Sequence, residues 1–326
     1  MSAYLLNRPE TFALSTLLHL PVQPGSVLSS WLSNGKFTYS TDLAGKSLAS
    51  LEGKGYYSPE DKEQSIQPEL LKSLALASVN AAEITAILRR NGQAALTRFA
   101  QVGKSVVQYG MDEEHLSLHR VAGQAMLAEK IIPGWFTVSQ DEHLQAELPL
   151  GAFLLFKQAC ELADLTAAET NFESEKPAKS KLLEQSKLMD GGVDIFNAGG
   201  LGGVPALDQV PLEDDYRLLV SQEFLEESAA DTIEIGTVGK SLAASFSDPD
   251  MCSLIVSLQI WEGGFPKTGV FLYGGERLFF LEASRKPVVF VIRQLANRQE
   301  GCSWVKDLLV EGSHARYADY VIAPAK

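Results

Sequence analysis

The stretch EITAILRRNGQAALTRFAQVGKSVVQYG, Glu83 to Gly110, decides the fold. Here the hydrophobic rhythm changes from helical to alternating. EITAILRR and AALTRFA read as strands, which carry side chains on alternate faces. Asn91-Gly92 lies between them, and a two-residue hairpin turn favours that pair because both positions need positive φ. Gly103-Lys104 marks a second turn and SVVQY a third strand. Gly110 to Glu114 reads as a third turn, and HLSLHRV completes a four-stranded antiparallel meander.

Upstream, Pro68 starts a helix, ELLKSLALAS, with Leu70, Leu71, Leu74 and Leu76 apolar and proline in a first-turn position. Asp42 to Leu51 has roughly helical spacing and is stopped by Gly53 and Gly55. TFALSTLLHL, Thr11 to Leu20, reads as a short helix or strand broken by Pro21 and Pro24.

The second half repeats the order. Leu218 to Leu225 and Val238 to Phe246 are helix candidates. SLIVSLQIW, TGVFLY, RLFFLEA and PVVFVIRQL then read as strands, with turns at Gly263-Gly264 and Gly274-Gly275 and a polar break at Ser284 to Lys286. Lys72-Ser73-Leu74-Ala75 recurs as Lys240-Ser241-Leu242-Ala243, 168 residues on. Gly92 lies over Gly263 at a shift of 171, and Gly103 over Gly275 at 172. A rival identity, Gly45 to Ala49 with Gly239 to Ala243, has no hairpin turns following it in register. The ordered series implies an internal duplication of about half the chain. The expected fold is α+β, with two pseudo-symmetric halves of helices plus meander: 1–147, a connecting region 148–215, and 216–326 with a C-terminal helix. The connecting region holds the helix LGAFLLFKQACELADL, Leu150 to Leu165. It also holds a glycine-rich stretch, Lys187 to Leu207, with six glycines, which reads as a loop or linker.

Length and composition narrow the function. The chain has 326 residues, 45% hydrophobic, and a net charge of −13, which argues against a nucleic-acid surface. The longest apolar run, Leu148 to Phe156, is about half of what a bilayer span needs. The N-terminal residues lack a basic start before an apolar core, so no signal peptide is expected. Three scattered cysteines (Cys160, Cys252, Cys302) without CxxC spacing suit a reducing cytoplasm.

Gly-Lys-Ser occurs at Gly45, Gly103 and Gly239, but a phosphate-binding loop needs a glycine five positions earlier. Ser40, Arg98 and Glu234 stand there, so no nucleotide site is expected. Pro205 likewise breaks a dinucleotide fingerprint at Gly200-Leu201-Gly202. His115 and His119 share a strand face about 13 Å apart, too far for one metal. Asp112-Glu113-Glu114 and Glu213-Asp214-Asp215 read as solvated charged loops, because catalytic carboxylates face each other across a cleft. No catalytic residue, metal ligand or cofactor is assigned. Trp261 and Phe265 flank the glycine turn in IWEGGFPKTG, where the first copy has the small, polar RRNGQAA. An aromatic pair at a hairpin tip is a candidate protein contact.

Two related halves, each a helical element feeding a meander, and the helix lead-in GYYSPEDKEQSIQPELLKSLALAS resemble the EspG proteins of type VII secretion. The resemblance runs from about Leu43 to Leu295. It implies a cytosolic, non-enzymatic chaperone that binds the helical tip of secreted PE–PPE pairs and keeps them soluble. It transfers no functional residue. The expected partner is a helical protein substrate, held by a meander face and its hairpin tips. The alternatives are an enzyme with its site between the halves, or a winged-helix-like regulator.

Overall fold

A computed structural model describes residues 3–33, 40–60, 65–119, 122–138, 144–169, 178–188, 212–228, 231–260, 266–285 and 288–315. Its strands are β1 (Tyr4–Leu6), β2 (Ala82–Arg90), β3 (Gln93–Val102), β4 (Ser105–Met111), β5 (Leu116–Leu118), β6 (Ala122–Gly123), β7 (Gln145–Pro149), β8 (Leu225–Ser228), β9 (Thr232–Ile235), β10 (Cys252–Ile260), β11 (Lys267–Gly274), β12 (Arg277–Arg285) and β13 (Val288–Leu295). Its helices are α1 (Arg8–Leu17), α2 (Val27–Ser33), α3 (Thr41–Gly53), α4 (Pro68–Val79), α5 (Gln124–Ile131), α6 (Leu150–Glu169), α7 (Lys179–Leu188), α8 (Leu212–Ser221), α9 (Lys240–Phe246) and α10 (Arg298–Ser313).

One antiparallel sheet runs through the molecule in the order β1-β5-β4-β3-β2-β10-β11-β12-β13-β7, with β6 beside β4; β8 and β9 form a separate hairpin. Both expected meanders are present, β2 to β5 and β10 to β13. They are joined at a seam where β2 pairs with β10 along its whole length, from Ala82 opposite Ile260 to Arg90 opposite Cys252. The meanders therefore share one sheet, which separate winged-helix units would not do. Asn91 (φ 52°) and Gly92 (φ 71°) form the β2–β3 turn in the left-handed region that such turns require. Gly103 (φ 54°) takes the same region at the β3–β4 turn, and at the β11–β12 turn the left-handed pair is Gly275 and Glu276, one residue later than expected.

The sheet is covered unequally. On one face, Cys302, Val305, Leu308 and Leu309 of α10 join α5 over Ile84, Leu254, Val256, Phe271 and Phe280. On the other, α1 to α4 cover the first half, with Leu14, Trp31, Leu70 and Leu74 beside Ala100, Val107 and Leu118. On that same face α6 to α9 cover the second half, with Phe153, Phe156, Tyr216 and Leu242 beside Ile255, Val270, Leu272 and Phe290. Burial of each such large apolar side chain stabilises the fold by about 1.5–3 kcal/mol.

Local chemistry explains several boundaries. Asn7 caps α1: its Oδ1 accepts from the Glu10 N–H at 2.8 Å, and Glu10 Oε2 accepts from the Asn7 N–H at 2.9 Å. Glu10 is wholly buried, and its charge is met by Lys54 Nζ at 2.8 Å and the Ser50 hydroxyl at 2.7 Å. Pro68 opens α4 as expected. The helix expected over Leu218 to Leu225 is displaced: α8 ends at Ser221, the chain turns at Glu223 (φ 58°), and Leu225 begins β8. Glu213, Asp214 and Asp215 are thus the first turn of α8 rather than a loop, a position where carboxylates complement the helix dipole. His115 and His119 flank β5 instead of lying within it.

Candidate protein-binding surface

The tip end of the β2–β3 hairpin, above all the first half of β3, is left uncovered by the helical layers. β3 spans Gln93 to Val102, but β4 pairs only with Arg98 to Val102. Among the described residues, Gln93 to Thr97 therefore pair with β2 alone. Gln93, Ala94, Ala95 and Leu96 are all exposed, and Leu96 is 53% accessible although it pairs directly with buried Ile87. Cover resumes at Phe99, Ala100 and Gln101. There the Gln101 side-chain amide donates to the Leu309 carbonyl of α10 at 2.7 Å, and Gln124 of α5 donates to the same oxygen at 3.0 Å.

An aromatic group lies beside the tip. Trp135 is 40% exposed and meets Phe136 and Tyr273 edge-on, with ring centroids 4.8 Å and 5.7 Å away. The Arg90 guanidinium sits 4.9 Å from the Trp135 ring, a cation–π contact. Arg90 pairs across β2–β3 with Gln93, so Trp135 adjoins the face that carries Gln93 and Ala95. The loop is fixed by Arg298 of α10, whose guanidinium donates to the carbonyls of Ile132 at 2.7 Å and Pro133 at 2.9 Å. Leu96 projects from the opposite face of the hairpin. An exposed leucine, two exposed alanines and a half-exposed tryptophan suit protein contact.

Other polar positions serve the fold. In the first half, Tyr109 of β4 is pushed above the usual phenol range by burial and by the Glu83 carboxylate of β2, to which its hydroxyl donates. It is held protonated. Burial pushes the Cys252 thiol up to about 11 and raises Cys302, so neither is primed as a thiolate nucleophile. Asp215 is only 7% exposed, and burial, with Asp214 nearby, pushes it up to about 6; the Ala152 N–H at the start of α6 donates to it. The expectation of a solvated cluster at Glu213 to Asp215 is therefore corrected at Asp215, whose helix packs against α6. Asp112 behaves as expected for a solvated turn: backbone N–H groups of Glu114 and His115 lower it, and it is fully exposed. No group of three or more His, Cys, Asp and Glu able to hold a metal occurs among the described residues. An open depression of about 650 Å³ between β12, β13 and α10 is lined by Phe280, Arg293, Asn297, Glu300, Trp304 and Asp307. Arg293 there is engaged by Glu282 at 3.4 Å.

Trp261 and Phe265 lie outside the described residues, as does the glycine-rich stretch at 191–203. The exposed hairpin that is described is thus the one with the small, polar turn. Sequence signalled the hairpin itself through Asn91-Gly92. It did not signal the exposure, which depends on where α4 and α10 stop.

No protein-family model matches the chain, and no curated protein matches it. Among solved structures it is similar to the Mycobacterium tuberculosis type VII secretion system chaperone EspG5, solved in complex with a PE25–PPE41 dimer. The identity is 12% and the TM-score 0.49, with 97% of this chain and 99% of that chain covered. The likeness is one of overall structure and assigns no residue a role. No helix among the described residues is long and apolar enough to cross a membrane.

Proposed function

We propose that this chain is a non-enzymatic, cytoplasmic protein-binding protein, similar to a secretion chaperone, that holds a helical client against the β2–β3 hairpin. The observation that carries this reading is the exposure of Gln93 to Leu96 on a central sheet strand. Leu96 on one face and Trp135 beside the other supply apolar area, while Arg89, Arg90 and Arg98 supply charge around it. The client's apolar helical surface would be shielded from water there and so kept from self-association. Trp261 and Phe265 remain proposed contacts at a second hairpin tip. The two meanders, each preceded by a short helix (α4, α9) and followed by another (α5, α10), support descent from one duplicated unit with a connecting region at 148–215.

Affinity capture from the producing cells tests this, comparing wild type with Leu96→Glu. The expected result is a helical secreted protein recovered by wild type and reduced about tenfold by the substitution. Equal recovery, or recovery of no helical protein, would refute it.

A further inference from the structure

The depression of about 650 Å³ between β12, β13 and α10 has the volume of a ligand pocket and an aromatic floor. Gly269 of β11 makes room for that floor. A Cβ there would lie 2.6 Å from both the Phe280 and Trp304 rings. Their centroids are 4.8 Å apart, and Trp304 stays half-buried.

One guanidinium already rests on this floor. Arg293 pairs with Phe280 across β12–β13, and its guanidinium carbon lies 5.6 Å from the Phe280 centroid. Glu282 engages it at 3.4 Å. A ring beneath and a carboxylate beside thus hold a guanidinium here. Trp304 repeats the arrangement with a stronger cation-binding ring. Glu300 lies four residues before it on α10 and Asp307 three after, so the three share one helix face, and all three line the depression. Glu300 and Asp307 are exposed.

The surrounding charge agrees. On this side of the sheet Glu147, Glu282, Glu300, Asp307 and Glu311 stand against two cations, Arg293 and Lys267. Both cations are engaged, Arg293 by Glu282 and Lys267 by Glu311 at 3.1 Å. Of the other cations on α10, Arg298 donates to the Ile132 and Pro133 carbonyls, and Lys306 is turned about 160° from Trp304 around the helix axis.

The geometry points to a second guanidinium site: the depression takes an arginine side chain of a partner protein, stacked on Trp304 between the carboxylates of Glu300 and Asp307. Guanidinium suits the site better than ammonium. It is planar and weakly hydrated, so it can lie on a ring while its N–H groups reach carboxylates at its edge. The net charge of −13 steers a basic partner toward this side. A second copy of the chain is the poorer source, because two molecules of that charge repel. The site shares no residue with the β2–β3 hairpin, so it stands or falls apart from the helical client.

The indole N–H resonances of the full chain, which has four tryptophans, provide the test. The Trp304 resonance is assigned by its loss in Trp304→Phe. The probe is acetyl-Gly-Ser-Arg-Ser-Gly-amide, and a saturable shift of the Trp304 resonance is expected. The citrulline analogue keeps the side-chain shape without the charge and should bind about fivefold more weakly. Glu300→Gln/Asp307→Asn should weaken the arginine probe by a similar factor; both positions are exposed, and glutamine keeps an acceptor for the Ala296 N–H. Leu96→Glu should leave binding unchanged. Calorimetry with the same probes and carboxylate variant gives the same comparison should Trp304→Phe fail to fold. No saturable binding, equal binding of the citrulline probe, or equal binding by the carboxylate variant overturns the proposal. Tighter binding of free arginine than of the probe also overturns it, because the site would then be built for the amino acid. So does a wild-type dimer in light scattering that Glu300→Gln/Asp307→Asn converts to monomer, because the arginine would then come from a second copy.

Discussion

β3 and β11 hold the same place, second strand of a four-stranded meander, yet they live in different surroundings. β11 is buried at six of its eight residues, with Phe271 under α10 and Val270 and Leu272 among the side chains of the opposite helical layer. β3 is exposed at its first four residues and buried only from Phe99 to Gln101. The difference comes from the helices. α10 has 16 residues and crosses the seam as far as Gln101, whereas α5, in the corresponding place, has 8. Topology fixes which strands pair; helix length and position fix which pair is left for solvent or a partner.

The comparison can be attacked by substitution. Phe271→Ala in β11 should cost about 3–5 kcal/mol, and Leu96→Ala in β3 less than about 0.5 kcal/mol, read as midpoints in urea. Similar costs at the two positions would break the contrast. Gly269 of β11 offers a second probe: a Cβ there would lie 2.6 Å from both the Phe280 and Trp304 rings. Gly269→Val should destabilise by about 1–3 kcal/mol through overpacking, while Ala95→Val on exposed β3 should be neutral or slightly favourable.

Asp215 sharpens the account of the second half. Its folded pKa of about 6 lies above the model-peptide carboxylate value, so the folded state holds this proton more tightly than the unfolded state. The stabilisation is therefore full below the unfolded value and is lost as pH rises through about 6. Asp215→Asn retains an acceptor for the Ala152 N–H and should raise stability at pH 7.5 by roughly 1–2 kcal/mol, with no gain near pH 3.5. Chemical denaturation of both proteins at the two pH values checks this. An unchanged or lower stability at pH 7.5 would mean that Asp215 is not buried against α6. The smallest effect is expected at Asp112→Asn, a solvated turn position, which should alter stability by less than about 0.5 kcal/mol.

Much of the sheet was legible in sequence because its turns carry strong local chemistry. Asn91-Gly92 and Gly103-Lys104 punctuate alternating segments, and the structure places strands on both sides of each. β1 and β7 were not legible: three and five residues are too short to show alternation, and each is a strand only through its partner, β5 or β13. The β8–β9 hairpin was missed for a similar reason, since Leu225 falls at the end of an apolar run that reads as helical. Burial of Asp215 was hidden by its acidic neighbours, and only its packing on α6 distinguishes it from Asp214. Exposure of β3 was also hidden, because AALTRFA has the rhythm of a strand with a covered face, and the extent of that cover is set by where α4 and the sequence-distant α10 stop.

The central claim is that the exposed tip end of the β2–β3 hairpin is where this protein meets its partner. Photo-crosslinking in the producing cells addresses it directly, with the reactive side chain placed at position 96 and, as an exposed control on α10, at position 310. The expected result is a discrete adduct with a helical secreted protein from position 96 and none from position 310. No adduct from position 96, or the same adduct from both, would contradict the account.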